Sequence, residues 1–555
     1  MPFAADRVYL LMKQVVTLYD APTKELALGG AIEGAERTKR ETLRWNAPMI
    51  SPDQAINIAK PEADARTKDM VMNDGYSQHA VRIQKNGIVG STYRLNAKPD
   101  YRVIFGEDTK LAADYGEELA AVAEARFNLA AESDDCWFDA SGMMTFTDQV
   151  RLVVGSCVMA GEVIGTAEWD DTDTSRPFKT NIQMVSPDRL SNKDNMPDTR
   201  YLRRGVELDS KGRPTAFHIR LGHPAEWYDT LSNYWKIVPA AKPWGRRQVL
   251  FIREAIQIDQ TRGLSDMVAA LAHCRMTKKF SEITLQNAVV QASYAAAIES
   301  ELPNHEVVAA MGGGTEGWQT AVGMYMSMLQ AYISNADNIA IDGVKMPHLF
   351  PGTRLNMMPM GNPGGVGGDF ESSLIRKIAA TLGVSYSDLS RDLSKTSYSG
   401  LKGELALAER DLTVKKKTWA DRWATGVYRL WFEEEMAAGN LPLPPGRNRT
   451  DFYRPLMKDA YTRCTWIGTG FGQIDELKET QAAMLRVKAG FSTFEEECAK
   501  LGRDYREVFA QRAKENALQK KLKLNFTLDA TRDGQNTANQ TIAGDNNGQS
   551  SQSGS

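Results

Sequence analysis

A chain of 555 residues is long enough for several domains, on a prior of about 100–200 residues each. Hydrophobic residues make up 42% and charged residues 25%, which is ordinary for a soluble protein. The net charge of -3 excludes a protein that grips nucleic acid over its whole surface, because such proteins are usually basic; any contact with nucleic acid is local, or the nucleic acid passes through without being held.

The N-terminal half of the chain predicts an arm followed by a mixed domain. Residues 1–60 show weak periodicity and predict an extended arm, with Ser51 as a candidate N-cap and Pro52 in the first helical turn. The predicted helices are 53–86, 113–131 and 145–159, and the β-like runs are 88–96, 101–105, 162–169, 178–185, 205–208, 214–220 and 249–252. Residues 88–258 therefore predict a mixed α+β domain.

The C-terminal half is largely helical in its pattern. The predicted helices are 266–300, 369–382, 401–435 and several short ones within 446–522. Gly383 ends the second of these helices. Asp342 and Gly343 predict a hairpin turn within a stretch rich in Gly and Met. The tail from Thr527 is too polar to fold.

The longest of these helices carries two patterns. Its apolar positions recur three, four or seven residues apart and form one stripe that includes Trp419 and Trp423, which we expect to be packing or inter-subunit residues. Lys415, Lys416 and Lys417 form a basic cluster, which predicts a solvated or inter-subunit face, with DNA or an acidic neighbour as the alternative. A helix of about 30 residues needs support from other elements or other subunits.

A polar, Ser-rich loop at 384–400 precedes this helix. It contains Arg391, Ser394, Lys395 and Ser397. Cations and hydroxyls of this kind can contact phosphate oxygens without reading a base sequence. The alternative is that Lys395 only caps or solvates the following helix.

No constellation of residues predicts catalysis, a cofactor or a metal. The five cysteines are odd in number, lie far apart and lack C-x-x-C, which favours a reducing compartment over a disulfide framework or a zinc finger. Ser399 and Lys402 match S-x-x-K by chance spacing, because the partner motifs of serine acylases are absent. The Gly-rich run 361–368 lacks the Walker pattern and predicts a connector. The sequence contains no run of 18 apolar residues, so no transmembrane helix is predicted. The N-terminus also lacks a signal-peptide pattern.

Five stretches in the right order resemble the lambda-type portal proteins of tailed bacteriophages. They are VRIQKNGIVG at 81–90, GVELDSKGRP at 205–214 with His218 and His223 beyond it, DQTRGLS at 259–265, DLSKTSYS at 392–399 and WIGTGFGQIDELKE at 466–479. The similarity runs from about residue 60 to residue 515. The stretches 304–338 and 239–248 do not match the family pattern.

The resemblance implies an α+β, largely helical portal fold in a ring of twelve subunits around an axial channel. The implied parts are an N-terminal arm (1–60), a wing (61–262), a first stem helix (263–302), a clip (303–366), a second stem helix (367–383), a tunnel loop facing DNA (384–400), a long wing helix (401–445), a crown (446–522) and a disordered tail (523–555). The implied partners are double-stranded DNA in the channel, the terminase large subunit, a head–tail connector and the major capsid protein. The implied location is a capsid vertex of the virion, after assembly in the host cytoplasm.

Two other classes stay open on the sequence. One is a minor capsid or scaffold protein without a channel, and the other is an enzyme with an unrecognised site. Ring symmetry in particle images separates a portal from both. The absence of a catalytic constellation and the long, unsupported helices favour the portal, and neither a cofactor nor a membrane is expected.

Overall fold

The computed structural model describes residues 48–293, 327, 330, 339–341, 344–346, 363–394, 396–444, 446–470 and 475–524. The helices are α1 Pro52–Asn73, α2 Gly75–Ile88, α3 Tyr101–Phe105, α4 Lys110–Ala131, α5 Phe146–Ala160, α6 Met267–Ser293, α7 Pro363–Leu382, α8 Tyr386–Ser390, α9 Tyr398–Lys415, α10 Asp421–Ala438, α11 Met457–Tyr461, α12 Glu476–Lys488, α13 Phe494–Lys500 and α14 Tyr505–Leu522. The strands are β1 Arg94–Ala97, β2 Glu162–Trp169, β3 Thr180–Val185, β4 Leu202–Arg203, β5 Val206–Leu208, β6 Pro214–Arg220, β7 Trp235–Pro239, β8 Val249–Arg253, β9 Ile339–Ile341, β10 Val344–Met346 and β11 Cys464–Ile467. Among these described helices, none is long and apolar enough to cross a bilayer.

Helix α1 begins where the sequence predicts a helix start. The Ser51 hydroxyl accepts a hydrogen bond from the Gln54 amide at 3.3 Å, and Pro52 occupies the first turn. Asn73 ends α1, and the Asp74 carboxylate caps α2 through the Ser77 amide at 2.8 Å. The predicted arm boundary at residue 60 falls inside α1, and residues 1–47 of the arm lie outside the described residues.

Two antiparallel sheets form the β part of the mixed domain. One has the order β3-β2-β8 and the other the order β4-β5-β6-β7. They confirm the predicted pairing of 162–169 with 178–185, and the predicted turn between β5 and β6. Apolar residues from both sheets share one core, which includes Ile164, Val206 and Phe217. The sheets therefore pack face to face through their alternating inward positions.

Two strand predictions were wrong. Residues 101–105 form helix α3, because the Asp100 carboxylate caps the Val103 amide at 3.3 Å and Gly106 takes the left-handed conformation at φ 74° that ends the helix. In the run 88–96, Ile88 still belongs to α2, and only the last residues are extended, in β1. Ile88, Val89, Tyr93 and Ile104 of these runs are buried in the core, whereas Val103 is exposed.

The main core is built around an aromatic cluster from distant parts of the chain. Phe127 of α4 lies with its ring centroid 5.2 Å from Phe146 and from Trp431, and 5.7 Å from Trp466. Trp466 lies on β11, which pairs antiparallel with β1. The segment 449–467 therefore belongs to the same core as the mixed domain, although it follows the boundary expected at 446.

A second core joins helices α6 and α7 to the body of the chain. Helices α6 and α7 confirm the predicted helices at 266–300 and 369–382 within the described residues. Phe280 and Phe370 meet edge to face at 5.5 Å, and Cys274, Ile378 and Leu382 pack with residues of α2. Strands β9 and β10 pair as predicted, whereas the rest of the region 303–362, with Asp342–Gly343, lies outside the described residues apart from 327 and 330.

The C-terminal helices bury little within one chain. Helices α12, α13 and α14 contain no fully buried residue. Their exposed large apolar side chains include Leu477, Leu485, Phe494 and Leu518, and Phe491 between α12 and α13 is 86% exposed. Apolar surface of this extent is usual where a neighbouring molecule covers it.

Candidate DNA-facing loop and its supporting network

The first half of the loop 384–400 is docked on the chain rather than solvated. Leu389 of α8 is 1% exposed and belongs to the second core, together with Val384. The Glu404 carboxylate accepts from the Ser387 amide at 3.1 Å and from its hydroxyl at 2.7 Å. Burial would raise the pKa of Glu404, but the hydrogen bonds from Ser387 lower it, so this residue ties the loop to α9 as a carboxylate.

The second half of the loop is exposed and carries the predicted DNA-facing residues. Arg391 ends α8 with φ 56°, its guanidinium lies 3.2 Å from the Asp388 carboxylate, and its side chain is 71% exposed. Ser394 donates to Asp392 at 2.6 Å, which folds the chain into a tight turn. The Ser397 hydroxyl accepts from the Gly400 amide at 3.2 Å as the N-cap of α9. Lys395 lies outside the described residues.

The basic cluster at 415–417 is not one solvated face. Lys415 donates to the Leu382 carbonyl at 2.9 Å and lies 3.6 Å from the Asp266 carboxylate, so it joins α9 to the end of α7 and the start of α6. Burial lowers the pKa of Lys415, against the raising effect of Asp266. Lys416 donates to the Trp466 carbonyl at 2.8 Å, and Lys417 alone is largely exposed.

A π-helical turn at Lys416–Ala420 explains this arrangement. It inserts one extra residue between α9 and α10, so that consecutive lysines turn to different neighbours. Trp419 within this turn and Trp423 just after it are 2% and 0% exposed, and both lie in the main core of their own chain. The Trp419 indole donates to Glu254 at 2.6 Å.

A buried charge network fixes the start of α6, and pattern reasoning missed its members. Arg262 is 1% exposed; its guanidinium binds both oxygens of Glu162, at 3.0 and 3.1 Å from Nε, and donates to the carbonyls of Leu190 and Arg204 at 2.9 and 2.7 Å. Glu162 also accepts from the Gly263 amide at 2.8 Å. The quoted motif 259–265 contained this arginine, but no periodicity signals its burial.

Lys60 and Asp64 complete the network from helix α1. Lys60 lies 3.0 Å from Asp64 and 3.3 Å from Glu162, and all three side chains are buried. Burial would raise the pKa of Glu162, but the charges of Arg262 and Lys60 lower it. Burial raises the pKa of Asp64 to about 6, against the lowering effect of Lys60. The network therefore contains one carboxyl group whose pKa is lowered by its cations and one whose pKa is raised to about 6 by burial.

Two glycines permit the network to close. Gly161 has φ +71°, and a Cβ on Gly263 would come within 2.0 Å of the Gly161 carbonyl oxygen. Only glycine lets the two backbone segments approach this closely. The segment that precedes α6 is therefore locked onto the strand that begins at Glu162.

The described part of the chain brings together no metal-binding group, and it gives the two residues of the S-x-x-K match separate partners. No group of three His, Cys, Asp or Glu side chains there could hold a metal ion. Lys402 of the S-x-x-K match lies 3.5 Å from Glu479, whereas the Ser399 hydroxyl lies 3.4 Å from that of Ser397. The two members of this motif do not approach one another as a nucleophile and base would.

Comparisons with known proteins agree on one family. The model for "Phage portal protein, lambda family" matches residues 38–414. The portal protein of Escherichia phage N15 is 34% identical over 483 residues, covering 87% of this chain and 88% of the relative. Portal protein B of Escherichia phage lambda is 34% identical over 474 residues, covering 85% and 86%. Among solved structures, the neck of an empty GTA particle gives a TM-score of 0.35 at 11% identity, covering 79% of this chain and 93% of that chain.

Proposed function

Because the chain belongs to the lambda family of phage portal proteins, we propose that twelve copies form a closed ring with an axial channel at one vertex of the capsid. Double-stranded DNA is packaged through this channel by the terminase large subunit and later ejected. The ring assembles in the host cytoplasm and contacts the major capsid protein and a head–tail connector. Its role is structural rather than enzymatic.

The exposed apolar surface of α12, α13 and α14 carries the ring proposal. These helices contain no fully buried residue within one chain, and Phe491 is 86% exposed. In a cyclic, head-to-tail assembly the same surface of every copy is covered by its neighbour, with no edge left over. The proposed crown therefore begins after β11, at about residue 475, and 449–467 belongs to the proposed wing.

The remaining parts keep their expected bounds. The proposed stem consists of 263–302 and 367–383, the proposed clip of 303–366 and the proposed tunnel loop of 384–400. The exposed segment around Arg391 supports a loop that faces DNA, because its cation lies on the outside of the fold. Repeated once in every subunit, such cations form a band of positive charge that positions a duplex without reading its sequence.

Native mass spectrometry and electron microscopy test the ring. Twelve chains of 61.5 kDa give a mass of about 740 kDa. Phe491→Ser is expected to reduce the fraction of rings while leaving the thermal stability of the monomer unchanged. Trp227→Ser is the matched control, since this aromatic side chain is 92% exposed and lies between β6 and β7 rather than on the C-terminal helices. Monomers or dimers alone in the wild type, over a range of salt and concentration, would refute the ring.

Particle packaging tests the DNA-facing loop separately. Rings with Lys395→Ala or Arg391→Ala are expected to assemble normally and to give particles that retain less genome-length DNA. Lys211→Ala, in the exposed turn between β5 and β6, removes the same charge from the wing and serves as the control. If particles of both loop variants retain as much genome-length DNA as wild-type particles, the DNA-facing role is refuted, while the ring proposal is unaffected.

A further inference from the structure

A basic cleft of about 360 Å³ lies between strand β8 and helix α10. Its cationic lining residues, which define the name "basic cleft", are Arg247, Lys417, Arg422, Arg429 and Lys458. The cleft lies on the mixed domain, on different residues from the loop 384–400. Nothing in the proposed ring or channel accounts for this concentration of positive charge.

The carboxylates at the basic cleft are already engaged. Asp421 accepts from the Tyr93 hydroxyl and, at 3.1 Å, from Lys416. Asp459 accepts from Arg429, while Lys458 donates to Glu433 at 3.1 Å. Among the described residues, the guanidinium groups of Arg247 and Arg422 have neither a hydrogen-bond acceptor nor an ion-pair partner.

One buried guanidinium nitrogen of a cleft-lining residue also lacks an acceptor in the described structure. It is Nε of Arg429. A buried cationic donor without an acceptor is costly, which favours an anion at this position. In the same direction, partial burial by the walls of the cleft lowers the pKa of Arg247, and the like charges of Arg429 and Arg422 lower it further, against the raising effect of Asp459.

We propose that the basic cleft binds a phosphate-type oxyanion. The planar guanidinium fork matches phosphate oxygens with paired hydrogen bonds, and Arg247 and Arg422 are free to provide them. The cleft has room for a phosphate group and a few attached atoms but not for a duplex, so a nucleic acid would insert single backbone phosphates. The anion is therefore either free phosphate or a phosphodiester at the surface of a nucleic acid. This site does not depend on the proposed ring.

Calorimetric titration of the full-length protein with sodium phosphate, against sodium chloride at matched ionic strength, tests the site. Saturable phosphate binding is expected for the wild type, weakened about tenfold or more by Arg247→Gln and by Arg422→Gln, because each removes charge-assisted hydrogen bonds. Arg512→Gln removes the same charge from an exposed position on α14 and is expected to bind phosphate as the wild type does. In chloride alone, Arg247→Gln is expected to raise the melting temperature, because it relieves repulsion between like charges.

Each outcome decides the proposal or its source. No saturable binding by the wild type, or equal binding by the Arg247, Arg422 and Arg512 variants, overturns the site. Arg247 and Arg422 are both exposed to solvent, so both glutamine variants are expected to fold, and their melting temperatures in chloride check this. A single-stranded oligonucleotide that displaces phosphate from the wild type assigns the site to nucleic acid, and one that does not assigns it to the free ion. Tighter binding of polyglutamate than of phosphate overturns the oxyanion class in favour of an acidic protein partner.

Discussion

Replacing Glu162 by glutamine tests the buried network at its centre. The carboxylate accepts from Arg262 at 3.0 and 3.1 Å and from the Gly263 amide at 2.8 Å, and it lies 3.3 Å from Lys60. The amide of glutamine would turn a donor towards donors, and it would leave two buried cations opposed by Asp64 alone. Breaking a buried pair from one side costs about 3–5 kcal/mol, a large share of a typical stability of about 5–15 kcal/mol.

Urea unfolding of the full chain, followed by tryptophan fluorescence, measures this change in the free energy of unfolding. The control is Glu132→Gln, whose exposed carboxylate pairs with Arg94 at 2.8 Å and whose loss is expected to cost about 1 kcal/mol or less. The pKa of Glu162 is lowered in the folded state from an ordinary 4.5, so its contribution is present above pH 4.5 and fades as the pH falls through the folded value. The gap between wild type and variant should therefore narrow in acid. A Glu162→Gln cost no larger than that of the control, or a gap that widens in acid, would refute the reasoning.

Three further outcomes are expected. Trp423→Ala should lower the free energy of unfolding by about 3–5 kcal/mol in the same assay, because the ring is fully buried; an unchanged midpoint would contradict its place in the core. Gly165→Ala should cost about 1–3 kcal/mol, since a Cβ there would lie 2.5 Å from the Trp423 ring, whereas Gly403→Ala meets nothing within 4 Å on α9 and should stabilise by up to about 1 kcal/mol. The folded-state pKa of Asp64 is raised from 3.8 to about 6, so its contribution to stability is present below pH 3.8 and lost as the pH rises through 6. Between pH 4 and pH 7 the free energy of unfolding of Asp64→Asn should therefore rise by about 2 kcal/mol relative to that of the wild type. Equal pH profiles of the two proteins would count against this burial effect.

Local chemistry made parts of the fold predictable from the sequence. Ser51 and Pro52 together specify a helix start, and the structure uses both. The run Tyr101–Phe105 shows the limit of this approach, because its β-branched and aromatic side chains indicate a strand while its flanking caps, Asp100 and Gly106, specify a helix. For a five-residue segment, the hydrogen bonds at its two ends outweigh the weak preferences of the residues between them.

Tertiary contacts decided what periodicity could not. The apolar spacing of the long helix predicts a single buried face, but only Leu412 of α9 is buried, whereas the stripe after the π-helical turn is buried throughout. One inserted residue changes the phase of the helix, and a single period cannot describe both sides of it. The burial of Arg262 was equally unpredictable from the sequence, since a charged side chain is expected at the surface unless its partners are known. Those partners lie on α1 and β2, far away in sequence.

The pairing of β1 with β11 has a consequence for the timing of synthesis. Arg94 pairs with Ile467, so the main core needs a strand from near each end of the chain. While the ribosome is still making the middle of the protein, Phe127 and its aromatic neighbours on α4 and α5 have no Trp466 to cover them. Such a nascent chain exposes apolar surface that is prone to aggregation, and we expect chaperones to bind it. A chain that stops before residue 464 lacks both β11 and Trp466, so we expect it to misfold before it can assemble.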